Sequence, residues 1–368
     1  MKKIAFVGID YHQNSVSMAV VLEGQKEVHE TVRLVNEDKT IKKFLKRYFQ
    51  EFEIRACYEA SSCGYVFQRK MKVWGYHCDV IAPSLIPKKA GNRRKNDYRD
   101  AIDLAINHAG ERLSIVHPPT EEEEGVRSIV RCRMAFKDNA KRVKLQINSL
   151  LLAHGVKYGR GGKWTMKHRK WLSDQKLPNE QLQHVLEVHL QHLNYLEAQV
   201  EHFDEQIKEV ASSEIYAPSV KQLRAFRGIG TLAAMLLITE ITDFRRFPSP
   251  TGLMAYLGLI PSENSSGDTR HGGPITKAGN KRCRTQLIEA AQHYVRAPKI
   301  SKDMELNLLQ VNSQTASTAI KCMERLHKRF WALTMRGKLR PVAITAIARE
   351  LVGFLWAAMQ PNVAMASE

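Results

Sequence analysis

The stretch KKIAFVGIDYHQNSVSMAVVLEGQKEVHETVRLV, residues 2–35, decides the fold of the first part of the chain. It contains three short runs rich in Val, Ile and Ala, which are Ile4 to Asp10, Ser15 to Leu22 and Glu27 to Val35. Turn residues at positions 12–14 and 23–24 separate the runs. Runs of this length between turn residues are typical of β-strands. We therefore expect the chain to begin with three successive strands.

Helix and strand patterns then alternate up to about residue 115. The pattern predicts a helix, a strand, a helix, a strand and, after a basic loop, a last helix, at residues 40–49, 53–59, 61–74, 77–82 and from Asp97 onward. The order β-β-β-α-β-α-β-α is that of the RNase H-like fold, which includes the RuvC-type nucleases. The sequence therefore predicts an α/β N-terminal domain of this class.

Four acidic residues fall at the ends of these elements, where the RNase H-like fold holds metal ions. Asp10 ends the first strand and Glu59 the fourth, and Asp97 and Asp100 lie three residues apart, on one face of the last helix. Converging carboxylates repel one another unless cations lie between them, and two Mg²⁺ ions would both offset the repulsion and polarise a phosphodiester. Taken singly, Asp97 is also explained as a helix cap and Asp100 as a first-turn acid. Asp103, one turn further on, is a lower-ranked candidate.

The charge of the chain predicts a polyanionic partner. With 56 Lys and Arg against 38 Asp and Glu, the net charge is +18. Residues 125–172 contribute +12 of it, from 13 basic side chains and one acid. Such a one-sided run repels itself unless a polyanion or an acidic neighbour lies close by. Three aromatic residues, Tyr158, Trp164 and Trp171, are interleaved with it, as expected for stacking on unpaired bases. We therefore expect nucleic-acid contacts from Arg133, Lys137, Lys141, Lys144, Lys163, Trp164 and Lys167.

Residues 173–210 carry the opposite charge, with two Lys against eight Asp and Glu. Their apolar residues recur at steps of three and four, the spacing of a heptad seam, at Leu193, Leu196, Val200, Phe203, Ile207 and Val210. The basic and the acidic helix, joined by a Gly-rich loop, therefore predict a helical hairpin or coiled-coil arm at residues 121–215. For the acidic helix, a simple solvated face is the alternative interpretation.

Two further segments have the composition of backbone-binding elements. The loop from Ser84 to Lys95 has no acid and five basic residues, Lys88, Lys89, Arg93, Arg94 and Lys95, although an ordinary solvated loop has the same composition. Residues 223–237 have a helix-hairpin-helix pattern, in which Gly228 and Gly230 would expose backbone N–H groups to a phosphate. The alternative there is a tight interhelical turn without a ligand.

A serine pair, Ser265 and Ser266, lies in a Gly-containing segment followed by cations. Glycines at 267, 272 and 273 predict a mobile loop, and Lys277, Arg282 and Arg284 give the next helix a cationic start that suits nucleic acid. A serine between cations can serve as a nucleophile in phosphoryl transfer. From the residues alone, a simple turn serine is the favoured interpretation.

Taken together, several blocks resemble the DEDD-type transposases of bacterial insertion sequences, which include the bridge-RNA-guided recombinases. The blocks are GID at 8–10, YEAS at 58–61, KNDYRDA at 95–101, FRGIG at 226–230, and SG at 266–267 with ITKAGN at 275–280. The resemblance implies a RuvC-like domain at 1–120, the arm at 121–215 and a mainly α-helical transposase domain at 216–368. It also implies that Asp10, Glu59, Asp97 and Asp100 bind the metal and that Ser266, or the adjacent Ser265, is the nucleophile. Asn96 departs from the family pattern, in which we expect Thr.

We therefore expect a DNA transposase or recombinase that uses Mg²⁺ and a transient phosphoserine link to donor or target DNA, guided by a structured bridge RNA. A homo-oligomer, either a dimer or a tetramer, could supply the serine from a second subunit. Rival interpretations are a RuvC-like nuclease or junction resolvase, in which water attacks, and a non-catalytic nucleic-acid-binding protein. No apolar run reaches 18 residues and none of the six cysteines forms a C-x-x-C pair, so we expect a cytoplasmic, nucleoid-associated protein without a membrane span.

Overall fold

The computed structural model describes residues 2–87, 97–159, 161–266 and 269–360, without the side chains of Ser84, Asp97 and residues 264–266 and 269–271. Two compact units make up the chain, Met1–Pro119 and Thr120–Glu368. The predicted arm belongs to the second unit, together with the C-terminal helices.

The first unit is a six-stranded sheet with helices on both faces. The strands are β1 (Lys3–Tyr11), β2 (Ser15–Leu22), β3 (Glu30–Val35), β4 (Phe52–Glu59), β5 (His77–Ile81) and β6 (Ile115–Val116), and the helices are α1 (Asp38–Phe49), α2 (Val66–Val73) and α3 (Asp97–Ala109). The sheet order is β3-β2-β1-β4-β5-β6. All eight predicted elements are present, although α2 begins at Val66 rather than Ser61, and β6 was not expected. The architecture is consistent with an RNase H-like domain.

Alternation along β1 divides its side chains between the two faces of the sheet. Ala5, Val7 and Ile9 pack with α1 and α2 in one apolar cluster. Phe6 lies on the opposite face, in the cluster that contains Ala101 and Ala105 of α3. Because β1 pairs with β2 antiparallel and with β4 parallel, it is a central strand, covered by helices on both faces.

The second unit is mainly helical. Its elements are α4 (Glu121–Ala153), α5 (Met166–Ser173), α6 (Glu180–Ala211), α7 (Ala217–Arg224), α8 (Thr231–Ile241), α9 (Pro250–Tyr256), β7 (Pro261–Ser266), β8 (Thr269–Ile275), α10 (Lys281–Ala291), α11 (Lys302–Leu308), α12 (Ser313–Met335) and α13 (Arg340–Ala358). A single large apolar cluster joins the helices from α7 onward to the base of α4 and α6, through Val130, Ile207 and Ala211.

The two long helices of the predicted arm are α4 and α6. Thr120 starts α4 with a capping box, since its hydroxyl accepts a hydrogen bond from Glu123 N at 3.1 Å and its own N–H donates to the Glu123 carboxylate at 2.8 Å. Far from this start, Ala140, Val143 and Ile147 of α4 pack with Leu193 and Leu196 of α6. Of the predicted apolar seam, Leu193, Leu196 and Ile207 are buried, whereas Val200, Phe203 and Val210 are partly exposed.

The expected mobile loop around the serine pair is wrong for the residues that the structure describes. Residues Pro261–Ser266 and Thr269–Ile275 form two antiparallel strands, β7 and β8, and Gly267 lies outside the described residues. Gly273 has a packing role in the hairpin, since a Cβ there would crowd the Ser262 side chain and lie 3.3 Å from the Ser262 carbonyl oxygen. Glycine thus permits the close approach of two strands.

Within the described residues, one helix, α13, is long and apolar enough to cross a membrane by length and composition. Ile344, Ile347, Leu351 and Leu355 of this helix are buried in the core of the second unit, where α13 packs against α10 and α12. Its apolar composition is therefore explained by its place in a protein core.

Candidate functional site

Helix α3 lies directly on strand β1 at Gly8. A Cβ atom on Gly8 would lie 2.9 Å from the Leu104 Cβ and closer still to the backbone of Ala101 and Ala105. No residue larger than glycine fits this contact without a shift of the helix. Gly8 therefore sets the distance between the first strand and the last helix of the unit.

The helix runs antiparallel to the strand. Phe6 contacts His108 edge to face at 5.6 Å between ring centroids, whereas Gly8, two residues further along β1, faces Ala101, Leu104 and Ala105. Later residues of β1 thus contact earlier residues of α3. Asp10 lies on the same face of the sheet as Gly8, because side chains alternate along a strand. The next step from Gly8 to Asp10 therefore leads toward the first turn of α3, where Asp97 and Asp100 lie.

Strand β4 brings Glu59 to the same edge. Ile9 of β1 is in register with Tyr58 of the parallel strand β4, so that Asp10 and Glu59 are the next residues along the two neighbouring strands. Cys57 contacts α3, with its Sγ 3.8 Å from the Leu104 carbonyl oxygen, and Glu59 follows two residues later on the same face. The carboxyl ends of two parallel strands and the start of α3 thus converge.

The environment of these carboxylates differs. The Asp10 side chain is 17% exposed, with an oxygen 3.0 Å from His12 Nε2. Glu59 is exposed and Asp100 is half-buried. Asp103 lies one turn further into α3, away from the strand ends, and its carbonyl oxygen accepts a hydrogen bond from Asn107. The backbone of Asp97 begins α3, but its side chain lies outside the described residues.

The donor chemistry at this edge fits a hard divalent cation, since carboxylate oxygens are the ligands that Mg²⁺ prefers. Among the side chains that the structure describes, which omit that of Asp97, no group of three or more His, Cys, Asp or Glu residues is close enough to hold a metal ion. Asp10, Glu59 and Asp100, with Asp97, are nevertheless the residues that would hold the cation. All four offer carboxylate oxygens, and they come from the ends of two strands and the first turn of α3.

The predicted nucleophiles lie at the tip of the β7–β8 hairpin. Ser265 is in register with Arg270, and Ser266 with Thr269, beside the turn. At the opposite end the hairpin is closely packed, because a Cβ atom on Gly258 would lie 2.7 Å from the Ala278 nitrogen. Arg284 also serves this end, donating to the carbonyl oxygens of Leu257 and Ala278 at 2.9 and 3.3 Å.

Part of the basic block of α4 is neutralised within the protein. Arg133 forms an ion pair with Asp204 of α6 at 2.6 Å, and Lys144 with Glu197 at 2.7 Å. Arg169 of α5 reaches the same Glu197 at 2.6 Å. Burial alone would raise the pKa of Glu197, but the hydrogen bonds from Lys144 and Arg169 lower it on balance. The acidic helix is therefore the neighbour that the basic block requires.

The remaining predicted contacts of the arm differ in exposure. Lys137, Lys141 and Lys167 are exposed. Lys163 is also exposed and donates a hydrogen bond to Asn148 at 3.1 Å, while the half-buried Trp164 lies under Lys144, 5.3 Å from Nζ to the ring centroid. Tyr158 and Trp171, which the sequence suggested for stacking on bases, are half-buried and pack around the buried His168. The tip of the arm is thus a small aromatic cluster surrounded by lysines.

The segment with the predicted helix-hairpin-helix pattern consists of α7, the turn 226–230 and α8. Gly228 has a φ of +84°, and a Cβ there would lie 2.8 Å from the Ala290 carbonyl oxygen, so the turn requires glycine for packing against α10. Gly230 is the N-cap of α8, with nothing within 4 Å of a Cβ built on it. A cleft of about 660 Å³ borders this turn, and basic side chains line it at Arg224, Arg227 and Lys299.

The other predicted cations are placed as follows. Lys277 and Arg282 are exposed, just before and within the first turn of α10. Lys88, Lys89, Arg93, Arg94 and Lys95 lie outside the described residues.

Sequence reasoning missed a network around a buried carboxylate, Glu240, at the base of the predicted arm. Arg127 and Arg131 were counted with the nucleic-acid-binding block, but Arg127 is buried and donates to the Thr239 carbonyl oxygen at 2.8 Å. Arg131 donates twice to the carboxylate of Glu240, at 2.7 and 2.8 Å. The only sequence signal was the acidic residue near the end of the apolar helix 231–241, a position at which the helix dipole disfavours negative charge.

Comparison with known proteins agrees with this architecture. A family model for DEDD-type IS110 transposases, described as a transposase, matches residues 7–155, and one described as "Transposase IS116/IS110/IS902 family" matches residues 220–305. The two matches contain the carboxylate edge and the serine hairpin, respectively.

Similar proteins carry the same description. The chain is 39% identical over 356 residues to "Putative transposase y4qE" of Sinorhizobium fredii (strain NBRC 101917 / NGR234), covering 96% of this chain and 88% of the relative. It is 34% identical over 248 residues to "Transposase for insertion sequence element IS1533" of Leptospira borgpetersenii, covering 67% and 72%. The resemblance seen in the sequence is confirmed, and the chain belongs to the IS116/IS110/IS902 family of insertion-sequence transposases.

Proposed function

We propose that this protein cuts and rejoins the DNA of its own insertion sequence and of the target by metal-assisted attack of a serine hydroxyl, guided by a structured RNA. The observation that carries the proposal is the packing of α3 on Gly8, which leads Asp10, Glu59 and the first turn of α3 to one edge of the sheet. Family membership supplies the substrate class, which is DNA.

The chemistry divides between the two units. At the carboxylate edge, Asp10, Glu59, Asp97 and Asp100 would hold Mg²⁺, which supplies charge stabilisation for a phosphoryl group in transfer. At the hairpin tip, the Oγ of Ser266 would attack phosphorus and displace one strand hydroxyl, which takes up a proton as the serine loses its own. The resulting phosphoserine link conserves the energy of the broken bond. A hydroxyl of another DNA strand then attacks the link, rejoining DNA and restoring the serine.

The exposed lysines of the arm would hold the nucleic acid. Lys137 and Lys141 on α4, and Lys163 and Lys167 near its tip, offer charges that bind phosphates without reading sequence. The turn at Gly228 and Gly230, with the adjoining basic cleft, would bind a further stretch of backbone. Lys277 and Arg282, and the basic residues at 88–95, would add further contacts with the nucleic acid. A homo-oligomeric assembly would allow the serine of one subunit to act at the carboxylates of another.

A second candidate, a RuvC-like nuclease, is favoured by one observation. The whole carboxylate set belongs to the first unit, and the serine hairpin to the second. Hydrolysis by water at the carboxylate edge would not require the serine at all.

The test is a search for a covalent intermediate. Full-length protein, Mg²⁺, donor and target DNA and the noncoding RNA encoded beside the element are incubated, and the products are separated in SDS. We expect a protein–DNA adduct that disappears in Ser266→Ala and persists in the matched Ser265→Ala. Loss of the adduct only in Ser265→Ala would move the nucleophile by one residue, and cut ends without any adduct would support the nuclease. Asp10→Asn should abolish cutting and adduct together, and adduct formation without added RNA would exclude the guide.

A further inference from the structure

The carboxylate of Glu240 is the most deeply buried charge that the structure describes in the second unit, with a side chain 1% exposed. It accepts hydrogen bonds from Arg131 Nε and Nη2 at 2.7 and 2.8 Å and from Asn280 Nδ2 at 2.6 Å. Burial alone would raise its pKa, but Arg131 and Asn280 lower it on balance, so the group stays ionised at neutral pH. The network joins three segments that are distant in sequence: α4, α8 and the residue before α10.

Helix stability does not explain a carboxylate here. Glu240 is the penultimate residue of α8, where the negative end of the helix dipole disfavours an acid. A buried carboxylate is also costly, because it loses its water, and the Arg131 side chain that pairs with it is still 43% exposed. What such a pair can provide is a single fixed geometry between the segments that it connects.

Asn280 connects this network with the serine hairpin. Its Oδ1 accepts from the N–H groups of Arg282 and Cys283 at 2.9 and 3.2 Å, so it caps α10 while its amide holds Glu240. Just before it, Lys277 N donates to the Gly258 carbonyl oxygen at 3.1 Å and Thr276 N to that of Ile260 at 2.9 Å. These bonds tie the incoming and outgoing strands of the hairpin together at its base.

A small rotation at the base of the hairpin produces a larger displacement at its tip. From Pro261 to Ser266 the strand spans five steps of about 3.4 Å, or roughly 17 Å. A rotation of about 5° at the base would therefore move the tip by about 1.5 Å. Misplacement of a reacting group by about 1 Å can reduce a rate by about 100-fold.

We propose that Glu240 is a positioning residue, which acts through Asn280 to fix the base of the β7–β8 hairpin against α4 and α8 and so presents the serine at its tip. The inference rests on the proposed function of that serine. It also connects the arm helix with the reacting hairpin, because Arg131 belongs to α4.

The decisive variant is Asn280→Asp. Aspartate also caps helices, so the contact with α10 remains. The side-chain NH2 group that donates to Glu240 is replaced by a carboxylate oxygen. Two carboxylates then face each other where Nδ2 and the Glu240 oxygen were 2.6 Å apart. At pH 8 we expect hydrogen exchange in residues 261–275 to accelerate. The yield of SDS-resistant adduct per bound DNA should fall about tenfold or more, because one hydrogen bond to a charged group is lost. DNA affinity should stay within about twofold, because the exposed lysines are untouched.

The double variant Glu240→Gln/Asn280→Asp exchanges donor and acceptor. The amide nitrogen introduced in place of Glu240 Oε2 can donate to the carboxylate introduced at position 280, but it can no longer accept from Arg131 Nη2. We therefore expect part of the adduct yield and of the slow exchange to return. A matched control is Asn312→Asp, which makes the same change at the cap of α12, where Asn312 Oδ1 accepts from Thr315 N at 2.7 Å. It should alter neither measurement.

The outcomes separate the two hypotheses. Unchanged hairpin exchange in Asn280→Asp, or a double variant no better than the single one, overturns the positioning role whatever the chemistry. A wild-type protein that cuts DNA without an adduct overturns the serine mechanism, and hydrogen exchange then still decides whether Glu240 fixes the hairpin.

Discussion

Gly8→Ala tests the contact on which the carboxylate edge depends. The added methyl group would lie 2.9 Å from Leu104 Cβ and closer to the Ala101 and Ala105 backbone, whereas ordinary contact begins at 3.4 Å. The helix must therefore retreat by more than 3.4 − 2.9 = 0.5 Å, and by about 1 Å to clear its own backbone atoms. Overpacking of this kind costs about 1 to 3 kcal/mol, and we expect the upper part of that range because backbone rather than a flexible side chain is in the way.

The shift separates α3, which carries Asp100, from the strand that carries Asp10. A displacement of about 1 Å in a reacting group corresponds to a loss of about 100-fold in rate. Urea unfolding measures the loss of stability. The rate at which a labelled DNA duplex is cut under saturating Mg²⁺ measures the loss of activity. Gly110→Ala, whose Cβ would come no nearer than 3.4 Å to any neighbour, is the matched control and should change neither. A Gly8→Ala protein of normal stability and cutting rate would refute the close packing as the origin of the site.

Three further predictions concern charges. Lys137→Gln/Lys141→Gln should weaken binding to RNA and DNA alike and make the slope of log affinity against log salt shallower by about 0.7 to 0.9 per lost phosphate contact; an unchanged slope in a filter-binding titration would exclude these lysines. Glu197→Gln removes the shared partner of two cations and should cost about 1 to 2 kcal/mol by chemical denaturation, since the pair is partly exposed; no loss would mean that the arm does not depend on it. Asp79 accepts a hydrogen bond from His108 at 3.2 Å, and although burial alone would raise its pKa, His108 and His77 lower it on balance. The contribution of Asp79 to the free energy of unfolding is therefore fully present above the unfolded pKa of about 3.9 and is lost as pH falls through the lower folded value. The stability difference between wild type and His108→Phe, about 1 kcal/mol at pH 6, should accordingly shrink below about pH 4. A difference that stays constant down to pH 2 would contradict this.

Short-range patterns predicted the first unit well. Alternating apolar residues gave the strands, and Asp10 and Glu59 were assigned to strand ends that the structure places side by side. The serine segment was predicted less well, because its glycines suggested a loop. The described residues form a hairpin instead, and Gly273 serves its close packing against a neighbouring strand that no local pattern reveals.

By itself the sequence determined the elements, their order and the residue types available for chemistry, because strand alternation, helix periodicity and caps act over a few neighbouring residues. Only the tertiary structure decided which cations remain available for a nucleic acid. Lys137 and Lys141 stay exposed, whereas Arg133 is paired with Asp204. Arg131 meets Glu240 only because α4 packs on α8, 109 positions away in the chain. Such long-range pairings depend on how helices pack, and for that reason the charge of a segment does not reveal whether its partner is the protein itself or a ligand.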